Sequence, residues 1–306
     1  MSRLSSTLLV CPTLNPGAIF NDWLRAYDKQ KEKPATALII DSSSEDGYVE
    51  RALEYGLRIN VIDRSTFNHG GTRQRAIDEN TGYEFVIFLT QDAILCDGHA
   101  LKEILEPFDD PEVAAVCGRQ LPRIQAGPIE SHLRFYNYRE EARVSYLGDG
   151  TGLKSVFISN SFAAYRTSVL AEVGGFPGDV IFAEDMYVAA RLLMSGYKLA
   201  YASNACVYHS HDYSMLQEMK RYFDMGVFHA REPWIREEFG GAENEGIKFV
   251  LSEVQYLIKH AFWRIPEGLI RTATRYTGYK LGSIESYIPL KIKRKISMNP
   301  GYFNET

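Results

Sequence analysis

FLTQDAIL, residues 88–95, decides how this chain folds. Residues 85–89 (FVIFL) form an unbroken apolar run that stops at Thr90, and a single carboxylate, Asp92, stands just past it. A short continuous apolar run is what a strand buried on both faces of a parallel sheet requires. Ligands in open α/β sheets bind beyond the carboxyl ends of such strands, so Asp92 occupies a position where chemistry takes place. The same residue also reads as an ordinary strand-ending carboxylate in a turn, and the segment by itself leaves both readings open.

Working outward, strand and helix patterns alternate through the first 118 residues. Strands are predicted at 7–12, 35–41, 58–62, 85–89 and 113–117, with helices at 19–27, 47–55, 71–79 and 99–107 between them. This βαβα repetition predicts an α/β fold: a mixed, mostly parallel sheet flanked by helices. From 118 to 154 the pattern breaks into aromatic and charged residues. It resumes with apolar stretches at 156–158 and 162–165, a short helix at 168–173 and the turn GGFP at 174–177. The segment 185–194 places Met186, Ala189, Ala190 and Leu193 on one helical face, Gly196 gives a stop, and 197–201 returns to strand. Beyond Ser214 the pattern is helical to about Leu281. The predicted division is therefore a domain over 1–214, with halves 1–118 and 119–214, and a helical, basic C-terminal region over 215–306.

Composition narrows the function. Of 306 residues 45% are hydrophobic and 24% charged, the mix of a soluble globular chain. No stretch approaches the roughly 20 apolar residues of a membrane span, and the N-terminus lacks the features of a signal peptide, so the expected location is the cytoplasm. Cys11, Cys96, Cys117 and Cys206 are far apart in sequence, each in or beside an apolar run, and read as reduced core residues without metal-ligand spacing. Residues 248–306 carry a net +6, leaving −11 on the rest. An acidic body excludes the spread basic face of a nucleic-acid binder.

Four constellations could carry chemistry. Asp41 ends a strand and opens DSSSEDG (41–47), either to accept a ring N–H from a pyrimidine or as a turn residue. HGGTR (69–73) lies between strand and helix, where backbone N–H groups and Arg73 could meet phosphate. Glu184 and Asp185 begin a helix, as carboxylates favour, and one of them could instead serve as general base. His209 and His211 follow a strand-like Val207-Tyr208, where one imidazole could join Asp92 in a metal site or simply face solvent.

In order and spacing, these motifs resemble the inverting family 2 glycosyltransferases of GT-A fold, and among them the bacterial rhamnosyltransferases. The likeness covers roughly residues 7–214. The opening strand with Pro12, Thr13 and Asn15 is similar to the family's nucleotide-binding start, and Asp41 matches its base-binding Asp. FNHGGTR (67–73) and FLTQDAIL resemble its diphosphate-side helix and its metal motif. SNSFAAYRTSVLAEVGGFP (159–177) is similar to the acceptor-side segment, Glu184-Asp185 to the catalytic pair, and VYHSHDYS (207–214) to the rhamnosyl branch. The resemblance implies donor binding by Pro12, Thr13, Asn15, Asp41, Arg73, Thr90 and Gln91. It implies Mg²⁺ or Mn²⁺ on Asp92 with His209 or His211, and Asp185, with Glu184 beside it, as the base.

One position departs from the family. Thr90-Gln91-Asp92 stands where most members have Asp-x-Asp, and the missing first carboxylate lies near the ribose in the family. A deoxyribose has no 2′-hydroxyl for a carboxylate to hold. The expected donor is dTDP-L-rhamnose and the expected acceptor a glycan or lipid-linked glycan of cell-surface polysaccharide synthesis. A family member using a UDP-sugar and a non-catalytic nucleotide-sugar-binding scaffold are the alternatives. In a sugar-nucleotide pyrophosphorylase the glycine loop follows the first strand, whereas Gly70-Gly71 follows the third. A processive synthase would carry Gln-x-x-Arg-Trp and membrane spans, and neither is present. The tail IPLKIKRKI (288–296), with Trp263, Tyr276, Tyr279 and Tyr287 upstream, is the pattern of a peripheral anchor on an anionic membrane such as the cytoplasmic face of the inner membrane. A homodimer contact or a solvated helix end is the other reading of that segment.

Overall fold

The structure, a computed structural model, describes residues 2–211, 213–241 and 243–304. It divides into two compact units: residues 2–123, 138–179 and 185–209 form the first, and 124–137, 180–184 and the described residues from 210 onward form the second.

The first unit is built on a nine-stranded sheet with the order β3-β2-β1-β4-β8-β6-β9-β5, and β7 also pairs with β9. The strands are β1 (Thr7–Thr13), β2 (Thr36–Asp41), β3 (Arg58–Val61), β4 (Phe85–Leu89), β5 (Ile94–Leu95), β6 (Val113–Leu121), β7 (Arg143–Ser145), β8 (Phe162–Arg166) and β9 (Lys198–Tyr208). β1, β2, β3, β4, β6 and β9 run one way, while β5, β7 and β8 run against them. The sheet is therefore mixed and mostly parallel. All five residues of β4 are buried, which is why the sequence there shows no alternation. Pro12 sits in β1 beyond Val10, the last residue paired to β4, a place where a strand tolerates a missing N–H.

Helices pack the faces through short apolar stripes. Helix α1 (Phe20–Asp28) buries Phe20, Trp23, Leu24 and Tyr27, each contributing roughly 1.5–3 kcal/mol by removal from water. α2 (His69–Asp78) begins two residues earlier than its sequence pattern suggests, because Asn68 caps it by accepting the Gly71 N–H at 2.8 Å. The expected helix at 47–55 is a 3₁₀ run, Val49–Tyr55. The helix expected at 99–107 breaks into α3 (Ala100–Glu103) and a 3₁₀ turn at Glu106–Asp109, with Pro107 in the turn. The apolar stretch 156–158 is buried without being a strand. β9 continues to Tyr208, well past its predicted end at 201.

In the second unit, α4 (Pro128–Asn137) lies in the stretch where the sequence shows no pattern. α5 (Thr167–Glu172) belongs to the first unit; α6 (Glu184–Met194) begins at the last residue of 180–184 and continues there. The second unit then has α7 (Met215–Arg231), α8 (Pro233–Phe239), α9 (Glu243–His260), α10 (Ile265–Ser283) and α11 (Leu290–Ile296). α7 opens with a capping box between Ser214 and Gln217. α7 and α10 touch backbone to backbone: a Cβ on Gly282 would come within 2.1 Å of Phe223 O, and one on Gly226 within 2.2 Å of Tyr279 O. Among the described residues no helix is long and apolar enough to cross a membrane.

Candidate functional site

Because β1, β2, β4, β6 and β9 of the first unit run the same way, their carboxyl ends fall on one edge of the sheet. The reversed β8 starts there. Every candidate residue of this unit lies on the loops of that edge or on a helix leading from it.

At the β1 and β2 ends, the backbone is stitched together by side chains. Thr13 is buried and its carbonyl accepts the Ser42 N–H at 2.8 Å. Asn15 adopts a left-handed conformation, φ 41°, donates its N–H to Ser44 Oγ and accepts the Glu45 N–H, both at 2.8 Å. Asp41 is buried and accepts the Ser44 N–H at 3.0 Å and the Ser44 hydroxyl. The turn role and the position beside the nucleotide-side loop thus coexist at Asp41. Gln91 clamps Leu14 in two directions: the Leu14 N–H donates to Oε1 at 2.7 Å, and Nε2 donates to the Leu14 carbonyl at 3.1 Å. Its amide shapes the β1 loop. Arg73 is buried on α2, donates to the His69 carbonyl at 2.7 Å and stacks its guanidinium 5.7 Å from the Phe88 ring.

Past β4, Thr90 is fixed through its backbone. Its N–H donates to Ser161 O, and its carbonyl accepts from the Trp23 indole, each at 3.1 Å. Thr90 Oγ1 is buried with no hydrogen-bond partner. Asp92 follows, one-fifth exposed at its side chain. His209 Nε2 stands 3.4 Å from Asp92 Oδ2, while His209 Nδ1 meets Gln120 Oε1 at 2.8 Å. Gln120 Nε2 donates to Ser159 Oγ at 3.0 Å. In the tautomer that donates Nδ1–H to Gln120 Oε1, the His209 Nε2 lone pair faces a carboxylate oxygen. Two lone-pair-bearing atoms so placed fit a cation shared between them, and a hydrogen bond on the far ring nitrogen is how ligating histidines are oriented. Arg123 donates to the Asp92 carbonyl at 2.7 Å and lies 3.6 Å from Oδ2.

A β-bulge makes the His209–Gln120 contact. The β6–β9 register jumps from Gly118↔Ala202 to Arg119↔Cys206. A Cβ at Gly118 would lie 2.2 Å from the Phe162 ring, so only glycine lets the strands close there. Beyond the bulge, Gln120 pairs with Val207 and the His209 N–H donates to Leu121 O at 2.9 Å. Bulges that re-aim side chains beside active sites are a recurrent device.

Asp185 Oδ2 accepts the Asn160 N–H at 3.2 Å, and Oδ1 accepts the Met186 N–H at 2.9 Å. Asn160 is buried, and its Oδ1 accepts from Tyr165 OH at 2.7 Å. Residues 159–161 therefore join three motifs: Ser159 holds Gln120, Asn160 holds Asp185, and Ser161 holds Thr90. The acid-base and metal-ligand candidates of the first unit share one anchor. Glu184 is buried at the start of α6 and is preceded by Ala183 at φ 58°, a left-handed non-glycine residue that costs roughly 1–2 kcal/mol. Such strain clusters at functional sites. His211 belongs to the second unit, where its N–H donates to Glu130 at 3.3 Å and its ring stacks on Tyr213 at 4.9 Å. Burial pushes the thiols of Cys11 and Cys117 up to about 12, which removes them as nucleophiles.

Sequence reasoning missed Gln120, Arg123, Asn160 and Tyr165. Asn160 and Tyr165 lie inside SNSFAAY, whose polar head directly before an apolar strand was the available signal. Gln120 and Arg123 sit after β6 in a stretch without pattern and carried none.

A mixed, mostly parallel sheet of this order flanked by helices, with a carboxylate–imidazole pair and a helix-borne carboxylate at one edge, is a GT-A-like fold. The chain belongs to glycosyl transferase family 2, whose model matches residues 9–174, and it is a glycosyltransferase. It is 49% identical to the O-antigen chain rhamnosyltransferase WbaN of Salmonella anatum over 98% of this chain and 96% of that one. It is 46% identical to the O-antigen chain rhamnosyltransferase RfbN of Salmonella typhimurium, over 97% and 95%. Among solved structures it resembles the mannosyltransferase PcManGT of Pyrobaculum calidifontis, determined with GDP-Man and Mn²⁺. That match has a TM-score of 0.57 at 19% identity and covers 97% of this chain and 84% of that one.

Proposed function

We propose that this glycosyltransferase moves L-rhamnose from dTDP-β-L-rhamnose to a hydroxyl of a glycan or lipid-linked glycan acceptor in O-antigen synthesis, inverting the anomeric carbon. Two relatives that match almost end to end bear the name O-antigen chain rhamnosyltransferase. The observation that carries the mechanism is the single anchor, residues 159–161, that holds both Asp185 and the Gln120–His209–Asp92 chain.

In this reading Asp185 takes the proton from the acceptor hydroxyl as it attacks, and Asn160 keeps the carboxylate aimed. Glu184 supports the entrance of the same helix. Asp92 and His209 would hold the divalent ion, which would supply positive charge to offset that of the leaving diphosphate. Mg²⁺ binds through oxygen ligands, so a set that includes an imidazole favours Mn²⁺. Asp41, with the loop of Pro12, Thr13 and Asn15, receives the base. Gln91 positions that loop. Arg73 contributes positive charge from beneath the diphosphate side.

Thr90 bears on the nucleotide. Its hydroxyl is enclosed by protein without a partner, so the position offers no carboxylate to a ribose 2′-hydroxyl, and a deoxyribose loses nothing there. The second unit supports peripheral attachment to an anionic membrane in a different way from the sequence pattern. Lys293 pairs with Glu285, whereas Lys291, Arg294 and Lys295 are exposed, Arg294 while donating to Phe303 O at 3.2 Å. Tyr279 bonds His229 at 3.0 Å. Phe262 and Trp263, each 67% exposed, stand at the turn between α9 and α10.

The test is a donor screen. Transfer from dTDP-rhamnose to rhamnose-, GlcNAc- or galactose-terminated acceptors, restored by Mn²⁺ after EDTA, is the expected result. Calorimetry with dTDP and UDP in parallel checks the Thr90 argument: equal or tighter UDP binding overturns the thymidine assignment, and donor binding without turnover on any acceptor favours a scaffold.

A further inference from the structure

The strand that leaves Asp92 and the strand that arrives at His209 are paired, and each carries a cysteine. β5 and β9 are antiparallel with Ile94 opposite Tyr208 and Leu95 opposite Val207. One step on, the Cys96 N–H donates to the Cys206 carbonyl at 3.1 Å, so the ladder continues and the two cysteines face each other. Directly opposed residues of antiparallel strands project their side chains to the same face. Their Cα atoms lie about 4.5–5.5 Å apart, inside the roughly 4.4–6.8 Å that a disulfide spans. Both residues are half-buried and reduced, in contrast to the fully buried Cys11 and Cys117.

We propose that Cys96 and Cys206 form an oxidisable dithiol whose closure to a disulfide clips β5 to β9 beside the Asp92–His209 pair.

The two sulfurs share one site: the Cys96 thiol hydrogen-bonds to Cys206, and the Cys206 thiol donates to Ser203 O at 3.2 Å, with the Arg119 guanidinium favouring ionisation of both. Toward a low-molecular-weight disulfide such as oxidised glutathione, the sulfur that ionises first forms a mixed disulfide and expels one glutathione thiolate. The second cysteine, losing its proton, then attacks the protein sulfur of that mixed disulfide and expels the second. The protein gives up two electrons and two protons, and one glutathione disulfide becomes two thiols. In a reducing compartment the pair stays open. Because the strands already hold the required register, closure needs no movement of Asp92 or His209.

The experiment incubates the full chain with oxidised glutathione, blocks remaining thiols, and maps cysteine peptides by mass spectrometry. A Cys96–Cys206 cross-linked peptide, with Cys11 and Cys117 blocked only after denaturation, is the expected result. Cys96→Ser and Cys206→Ser should each abolish the cross-link and leave glutathione trapped on the remaining cysteine. The oxidised protein should keep its Mn²⁺ affinity and melt several degrees higher, because the bridge closes a long loop of the unfolded chain. Failure to form the cross-link while the chain remains folded, or first reaction at Cys11 or Cys117, overturns the proposal. Neither outcome bears on the transferase reading, which the donor screen tests separately.

Discussion

His209 directs its Nε2 at Asp92 Oδ2 from 3.4 Å. On the other side of the ring Nδ1 meets Gln120 Oε1 at 2.8 Å, a contact that favours the tautomer in which Nε2 can act as a ligand. Replacing Gln120 with Leu removes the acceptor that holds the Nδ1 proton without touching either proposed ligand. Loss of such a partner typically weakens metal affinity about 10–100-fold. Mn²⁺ titration of Q120L should show a drop of that size with an unchanged circular dichroism spectrum. An unchanged affinity would remove His209 from the ligand set.

Asp185→Asn keeps the shape of the side chain and removes the base. Turnover should fall by about 10² to 10⁴ while donor binding, measured by calorimetry, is retained. The Asn160 and Met186 N–H groups both point at Asp185 oxygens, so the amide must present its nitrogen to one donor. For that reason Tyr165→Phe, which releases only Asn160 Oδ1, is the companion variant. It should lower kcat more than it raises KM, since it disturbs aim rather than binding.

These two tests also mark what could be read without coordinates. Strands and the order of Asp41, Asp92 and Asp185 were legible because buried parallel strands write continuous apolar runs and end at the functional edge. Gln120 was not, because its contact with His209 depends on a bulge between β6 and β9 that leaves no local pattern. α4 was hidden for another reason: its buried residues are Ile129 and His132, too few to print a helical period. The contact of Gln91 was not legible either: the resemblance implied a donor-binding role, and no sequence pattern announced that its amide holds both backbone groups of Leu14.

Membrane attachment can be tested at the α9–α10 turn. Truncating the tail is a poor probe, since Ser297 and Met298 hydrogen-bond Asp224 at 2.6 and 3.0 Å and their loss would unsettle α7. The double variant F262S/W263S and, separately, K291E/K295E should each weaken co-sedimentation with phosphatidylglycerol vesicles, the charge variant more strongly at low salt. Equal binding to phosphatidylcholine vesicles would sink the electrostatic part. A concentration-dependent doubling of mass abolished by F262S/W263S would assign the face to a second copy.

Two buried acids of the second unit contribute to the pH dependence of stability. Burial pushes Asp224 up to about 6 despite the hydrogen bonds from Ser297, Met298 and Asn299, and burial pushes Glu253 up to about 6 as well. Unfolded, both titrate near 4. Between these values the folded chain binds more protons than the unfolded chain, so stability falls as pH rises. The contribution is fully present below about 4 and is gone above about 6, and for Asp224 it is on the order of 3 kcal/mol. Glu267 and Glu285 act in the opposite sense, because their basic neighbours hold them low, but their contribution is lost only as pH falls below the ordinary carboxylate range. Across the window from about 5 to about 6 two buried histidines, His132 and His229, act against the acids: burial holds each down to about 4, so the unfolded chain takes up their protons and stability rises with pH. The difference between two chains isolates Asp224: urea denaturation across the window should show stability rising more steeply with pH in Asp224→Asn than in the parent, and an identical slope would mean that Asp224 is already ionised in the folded protein.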